Sequence, residues 1–198
     1  MRNEKRIRIA IFASGSGSNA ENLIRYFQEN EAAKVVLVLC NKKEAGVLER
    51  ADRLGVSSQV LSKTEFNDPG TLLGILEENQ VDYIILAGFL LLIPAFLIEQ
   101  FPDRIINIHP ALLPKYGGKG MYGSHVHKAV LEAGEEKSGI TIHFVNQEYD
   151  KGEIIAQFET PIEKHWNPED LQQKIHELEH KHFPEVVEKV LKNSGINE

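Results

Sequence analysis

The chain has 198 residues and a single cysteine, Cys40, so no intrachain disulfide forms. That usage fits a reducing cytoplasm. It also lacks an apolar run long enough to span a bilayer; the longest, Tyr83 to Ile93, is closed by Pro94 and reads as a central strand plus a turn. Met1 to Arg8 is charged and has no apolar signal-peptide segment. An excess of positive charge is missing too: 22 Lys and Arg stand against 29 Asp and Glu, a net charge of −7. That excludes a broad nucleic-acid surface but leaves room for a local anion pocket. Internal repeats and low-complexity linkers are absent. What is present, 42% hydrophobic and 26% charged residues, is ordinary for a globular protein and suits one α/β domain over residues 1–198.

Strands and helices alternate along most of the chain. Ile7 to Ala13 reads as a strand, then a helix runs from about Asn19 to Glu29. Val35 to Cys40 is a continuous apolar run, as in a strand covered on both faces. A helix over Glu44 to Leu54 ends at Gly55, and Ser57 to Leu61 is a short strand. Asp68-Pro69 opens a helix to about Asn79. Asp82 to Ala87 and Arg104 to His109 are further strands, separated by a short helix. This rhythm implies a doubly wound, mostly parallel α/β sheet. Beyond residue 137 the pattern changes to an antiparallel hairpin, Gly139 to Val145 and Glu153 to Thr160. Asn167-Pro168 then caps a long final helix toward Lys192. Ligands of such sheets lie beyond the carboxyl ends of the strands, which places Ser14 to Asn19, Gly88 to Ile93 and Asn107 to Pro110 along one crevice.

Asn107-Ile108-His109-Pro110 stands where a buried strand stops, because Pro110 donates no ladder hydrogen bond. Asn107 and His109 are two apart and share a face. A carboxamide and an imidazole there pack poorly but suit polarising a carbonyl and moving a proton. Asp150, in the turn Tyr149-Asp150-Lys151-Gly152, is either an ordinary turn residue or a carboxylate that raises the pKa of a nearby histidine.

Gly15-Ser16-Gly17-Ser18-Asn19-Ala20 matches the G-x-G-x-x-A dinucleotide pattern between a strand and a helix. The acidic residue that a dinucleotide ribose wants at the end of strand two is absent; Cys40-Asn41-Lys42 stands there. A monophosphate on the helix amino end, helped by Ser16, Ser18 and Asn19, and a plain tight turn are the other readings. His176-Glu177-Leu178-Glu179-His180 matches H-E-x-x-H. Its flanks, Glu179, Lys181 and His182, are polar, and only Glu198 lies far enough downstream as a third ligand, so no metal is expected. The alternatives are a partly solvated helix with Ile175 and Leu178 inward, and one in which Glu179 enters the crevice to accept sugar hydroxyl protons. His125, His127 and His143 read as core or surface residues satisfied by backbone, without a chemical role.

Asn107-Ile-His109-Pro-Ala-Leu-Leu-Pro114-Lys-Tyr116, together with Ala13-Ser-Gly15-Ser-Gly17-Ser-Asn19, Leu86-Ala-Gly-Phe89 and Tyr149-Asp150-x-Gly152, resembles the phosphoribosylglycinamide formyltransferases. The resemblance to these formyl-folate transferases of purine biosynthesis runs from about residue 7 to 190. It implies a Rossmann-like formyltransferase fold and transfer of a formyl group from 10-formyltetrahydrofolate, as co-substrate, to the amine of glycinamide ribonucleotide, without a metal. It implies that Asn107, His109 and Asp150 are catalytic. Gly15, Ser16, Gly17, Ser18 and Asn19 would hold the phosphate, and Glu179 the ribose. Phe89, Leu90, Leu91, Leu92 and Ile93, with Asn107, Asn146, Gln147, Glu148, Tyr149 and Asp150, would hold the folate. The 89–93 segment is all apolar, one residue shorter than in the best-known members and without their arginine, so backbone and apolar folate contacts are expected. The longer, glycine-rich Lys115 to Gly123 reads as a lid ordered by substrate. The partners expected are small-molecule substrates, with no nucleic acid and no membrane, for a monomer or homodimer.

Competing readings are methionyl-tRNA formyltransferase, which needs a further carboxyl-terminal domain and a basic surface, and formyltetrahydrofolate hydrolase, which needs an additional amino-terminal domain. A non-catalytic nucleotide-binding module is the alternative outside enzymes.

Overall fold

The computed structural model describes residues 6–194. Seven strands form one sheet: β1 (Ile7–Ala13), β2 (Ala33–Cys40), β3 (Ser57–Val60), β4 (Tyr83–Leu86), β5 (Ile105–His109), β6 (Lys137–Phe144) and β7 (Ile154–Pro161). Their order is β3-β2-β1-β4-β5-β6-β7. The first five run parallel, and β5-β6 and β6-β7 pair antiparallel. The helices are α1 (Ser18–Glu29), α2 (Gly46–Arg53), α3 (Lys63–Phe66), α4 (Pro69–Glu78), α5 (Ala95–Gln100), α6 (Ser124–Glu132) and α7 (Pro168–Asn193).

Strand alternation decides which core each residue joins. Ile7, Ile9 and Ile11 of β1 enter a core built with Leu23, Ile24 and Phe27 of α1 and Ile175, Phe183 and Val187 of α7. Ala10 and Phe12, on the opposite face, pack with Phe66, Leu72, Leu76 and Leu97 of the helices between β3 and β5. Both faces are covered, which is why these strands read as unbroken apolar runs. A register shift of β1 against β2 between Ile9 and Ala10 leaves this alternation intact on either side.

The chain leaves β1 for β2 and β3, then returns across to β4, so the direction of winding reverses between β1 and β4. A crevice opens at such a reversal, beyond the strands' carboxyl ends. The expected caps form: Asp68 accepts from Thr71 N at 2.8 Å, and Asn167 accepts from the backbone of Glu169 and Asp170. Two helices were not foreseen, α3 and α6. The expected helix 44–54 is shorter, starting at Gly46.

Candidate active site

A cavity of about 620 Å³ occupies the crevice, a size suited to small molecules. Its walls come from the turns after β1, β4 and β5, the segment 118–123, the tip of the β6-β7 hairpin, and one face of α7.

The first wall is the glycine turn. Gly15, Ser16, Gly17, Ser18 and Asn19 all line the cavity. Gly17 is the N-cap of α1 with φ +80, and no side chain caps the helix, so its leading N–H groups are unclaimed among the described residues. A Cβ at Gly17 would lie 2.6 Å from that of Val47, so only glycine fits. Ser14 closes the floor: its hydroxyl donates to Asn41 Oδ1 at 2.6 Å and accepts from Leu90 N at 3.0 Å. With Asn41 and Lys42 at the end of β2, no carboxylate waits for a dinucleotide ribose, and the wall suits a single anionic group.

Against the end of the turn stands Glu179, 5% exposed on α7. It accepts from Asn19 Nδ2 at 2.8 Å. Burial pushes its pKa up to about 7, against the lowering effect of that hydrogen bond. Asn19 Oδ1 and His127 Nδ1 are buried nearby with no hydrogen-bond partner among the described residues. Buried polar atoms without partners are costly, and a polar ligand in the cavity would supply the missing partners. His127 was expected to be satisfied by backbone; instead it lines the cavity, and burial first, then the nearby His176 and His109, press its pKa down to about 4.

The opposite end holds Asn107, His109 and Asp150. Asn107 and His109 leave β5 on one face, as its period requires, and Asp150 reaches them from the hairpin with φ +54. His109 Nε2 donates to the carbonyl of Tyr116 at 2.8 Å, which fixes the tautomer and leaves Nδ1 facing Asp150 Oδ2 at 3.6 Å. Asp150 Oδ2 also accepts from Gly118 N at 2.8 Å. The segment Tyr116 to Gly118 therefore clips both groups. Asn107 Nδ2 donates to His143 Nε2 at 3.1 Å and, more weakly, to Asp150 Oδ1 at 3.5 Å. His143 Nδ1 donates to Phe144 O at 2.7 Å.

Two expectations need correction here. His143 is not chemically idle: it sits opposite Asn107 in the β5-β6 register and orients its amide. The pKa of His109 is lowered, not raised, because burial outweighs the attraction of Asp150. The Asp150 carboxyl is itself held below the usual range: burial, the largest influence, pushes it up, but the neighbouring His143 and His109 rings and the Gly118 N–H together outweigh it.

The expected folate wall is only partly drawn together. Phe89, Leu90, Tyr149 and Asp150 line the cavity, as does Asn107. Leu91 packs against the second core and Ile93 is 4% exposed within it, while Leu92 faces out, so none of the three borders the cavity. Asn146, Gln147 and Glu148 also lie off it, in a turn that bonds to itself: Asn146 Nδ2 donates to Lys151 O and Asn146 Oδ1 accepts from Glu148 N.

His176 and His180 share a face of α7 with ring centroids 6.4 Å apart. No group of three or more metal-ligating side chains assembles around them among the described residues, and Glu198 lies outside those residues. Ile175 points into the core, Leu178 is half-buried and Glu179 enters the crevice.

The profile of the family described as Formyl transferase matches residues 7–187. The chain is 45% identical over 189 residues to "Phosphoribosylglycinamide formyltransferase, chloroplastic" of Arabidopsis thaliana, covering 92% of this chain and 65% of that protein. It is 36% identical over 195 residues to "Phosphoribosylglycinamide formyltransferase" of Bacillus subtilis (strain 168), covering 96% of each. It thus spans less than two thirds of the plant relative, and 15% of a trifunctional purine biosynthetic protein of Drosophila melanogaster. A crystal structure of phosphoribosylglycinamide formyltransferase from Bacillus halodurans superposes with a TM-score of 0.85 at 34% identity, over 94% of this chain and 96% of that one.

Proposed function

This chain belongs to the formyl transferase family, and on that premise we propose that it transfers the formyl group of 10-formyltetrahydrofolate to the amine of glycinamide ribonucleotide in purine biosynthesis. The observation that carries the reading is one cavity with the glycine turn and Glu179 at one end and Asn107, His109 and Asp150 at the other.

The folate supplies the formyl carbon and the ribonucleotide amine attacks it. Asn107 donates to the formyl oxygen as charge develops there; the N–H that turns to it is the one now spent on the long 3.5 Å contact with Asp150. One such donor contributes about 3 kcal/mol to an oxyanion. With Nε2 committed to Tyr116 O, His109 moves protons through Nδ1. In the neutral form favoured by burial, Nδ1 takes a proton from the attacking amine and returns it to the folate nitrogen as the C–N bond breaks. Asp150 stabilises the transient imidazolium. Holding two substrates in one cavity removes much of the entropic barrier. Phe89, Leu90 and Tyr149 form the apolar side against which the folate rests, and no step calls for a metal. We place the enzyme in the cytoplasm, acting on small molecules as a monomer or homodimer, its free Cys40 buried.

The test is a formyl-transfer assay with both substrates, repeated with a chelator. Formylated ribonucleotide at the same rate in both supports the reading. Release of formate without formylated ribonucleotide, or no turnover, overturns it.

A further inference from the structure

Three successive carbonyl oxygens of the glycine turn are each taken by a donor of the protein. Gly15 O accepts from Val47 N at 3.2 Å, and Gly17 O accepts from Glu21 N at 2.8 Å inside α1. Ser16 O, between them, accepts from Arg50 Nε of α2 at 2.8 Å. In a planar trans peptide the N–H points opposite to the C=O. Occupying these three carbonyls therefore turns the N–H groups of Ser16, Gly17 and Ser18 the other way. A flip of the Ser16–Gly17 peptide would remove one N–H donor from the anion and set a carbonyl dipole against it.

Two of those carbonyls are secured within backbone structure. That of Ser16, an exposed residue, is held by one side chain. Arg50 is in turn fixed through Nη1 by Glu21, which also pairs with Arg25 at 2.8 Å and Arg53 at 2.9 Å. The Glu21 carboxyl is held down to about 2, by its hydrogen bond from Arg25 first and from Arg50 next, so this anchor stays charged throughout the neutral range. Arg50 and Glu21 are absent from the cavity lining, whereas Ser16 and Gly17 belong to it. We propose that Arg50, braced by Glu21, is a positioning residue for the acceptor's phosphate, acting through the Ser16 carbonyl to keep the N–H groups of the turn aimed at the anion.

This rests on the formyl-transfer reading above, and the experiment separates the two. Steady-state kinetics are measured for the parent, Arg50→Gln and Arg50→Lys, with glycinamide ribonucleotide as acceptor and its 5′-dephosphorylated form as competitor. Arg50→Gln is expected to raise KM for the ribonucleotide ~10-fold, the scale of one lost charge-assisted hydrogen bond. Turnover at saturation, KM for the folate, and inhibition by the dephosphorylated competitor stay at parent values. Arg50→Lys, which keeps the charge but loses the fork that grips two partners, shows the same selective loss. An unchanged ribonucleotide KM, an equal loss of affinity for the dephosphorylated competitor, or full recovery by lysine would overturn the proposal. A parent without formyl transfer would overturn the function instead. If Arg50→Gln gives no cooperative melt, Glu21→Gln, which releases Arg50 from its brace, carries the same expectation.

Discussion

His109 uses its two nitrogens for different tasks. Nε2 is spent on a backbone carbonyl and Nδ1 stands 3.6 Å from Asp150 Oδ2, so in the proposed reaction the ring passes a proton through Nδ1 without reorienting. His109→Ala is expected to lower the rate by ~100-fold or more while the ribonucleotide still binds, as for removal of a general acid–base group; an unchanged rate in the transfer assay removes the residue from the chemistry. Glu179 carries a different expectation. Its pKa near 7 belongs to a buried carboxyl that, under the proposed function, the hydroxyl donors of a bound sugar would convert to the charged form. Binding then releases a proton near neutrality, so KM for the ribonucleotide falls as pH rises through about 7. Glu179→Gln flattens that limb and raises KM ~10-fold on its alkaline side, read from initial rates across pH. That Asn107 and His109 share a face was legible because strand period is a local property; turn chemistry placed Asp150 in a turn, and only the family resemblance pointed to its meeting them. His143 was not legible: its task follows from standing opposite Asn107 on another strand, and strand pairing is not written in either segment alone.

Among the elements, the segment after β5 has the most to do. Its stem is held: Tyr116 O and Gly118 N bond His109 and Asp150, and the Tyr116 hydroxyl donates to Glu135 at 2.8 Å. Its tip is not: Lys119, Gly120, Tyr122 and Gly123 are exposed, with Gly120 at φ +90. We expect the tip to be the first site of limited proteolysis and both substrates together to slow its cleavage ~10-fold, measured by fragment mass. Equal cleavage with and without them denies it a role as a lid. The long elements were legible from capping and periodicity, as at Asp68-Pro69 and Asn167-Pro168. α3 was passed over although Ser62 and Glu65 form a capping box around it, because a four-residue helix has no apolar period to notice. α6 begins at Gly123 with no capping side chain among the described residues, so no start signal preceded it.

At the scale of the whole molecule, two buried groups pull acid stability in opposite directions. His127, titrating near 4 against 6.5 unfolded, contributes stability that is present above 6.5 and lost as pH falls toward 4. Glu179, near 7 against 4.5 unfolded, contributes stability present below 4.5 and lost as pH rises through 7. His127→Gln removes only the first. The parent is expected to lose roughly 2 kcal/mol more than this variant between about pH 6.5 and about pH 4.5, read from denaturant melts at each pH; parallel curves would count against a buried neutral imidazole. The order of the sheet has a separate consequence. The glycine turn and Glu179 hang on β1 and α7, while Asn107, His109 and Asp150 hang on β5 and the hairpin after it. Under the proposed function, recognition of the acceptor and the chemistry performed on it are thereby housed in different parts of the scaffold. A designer seeking a new amine substrate would redraw the loop after β1 and one side of the last helix, and leave the reactive centre as it stands.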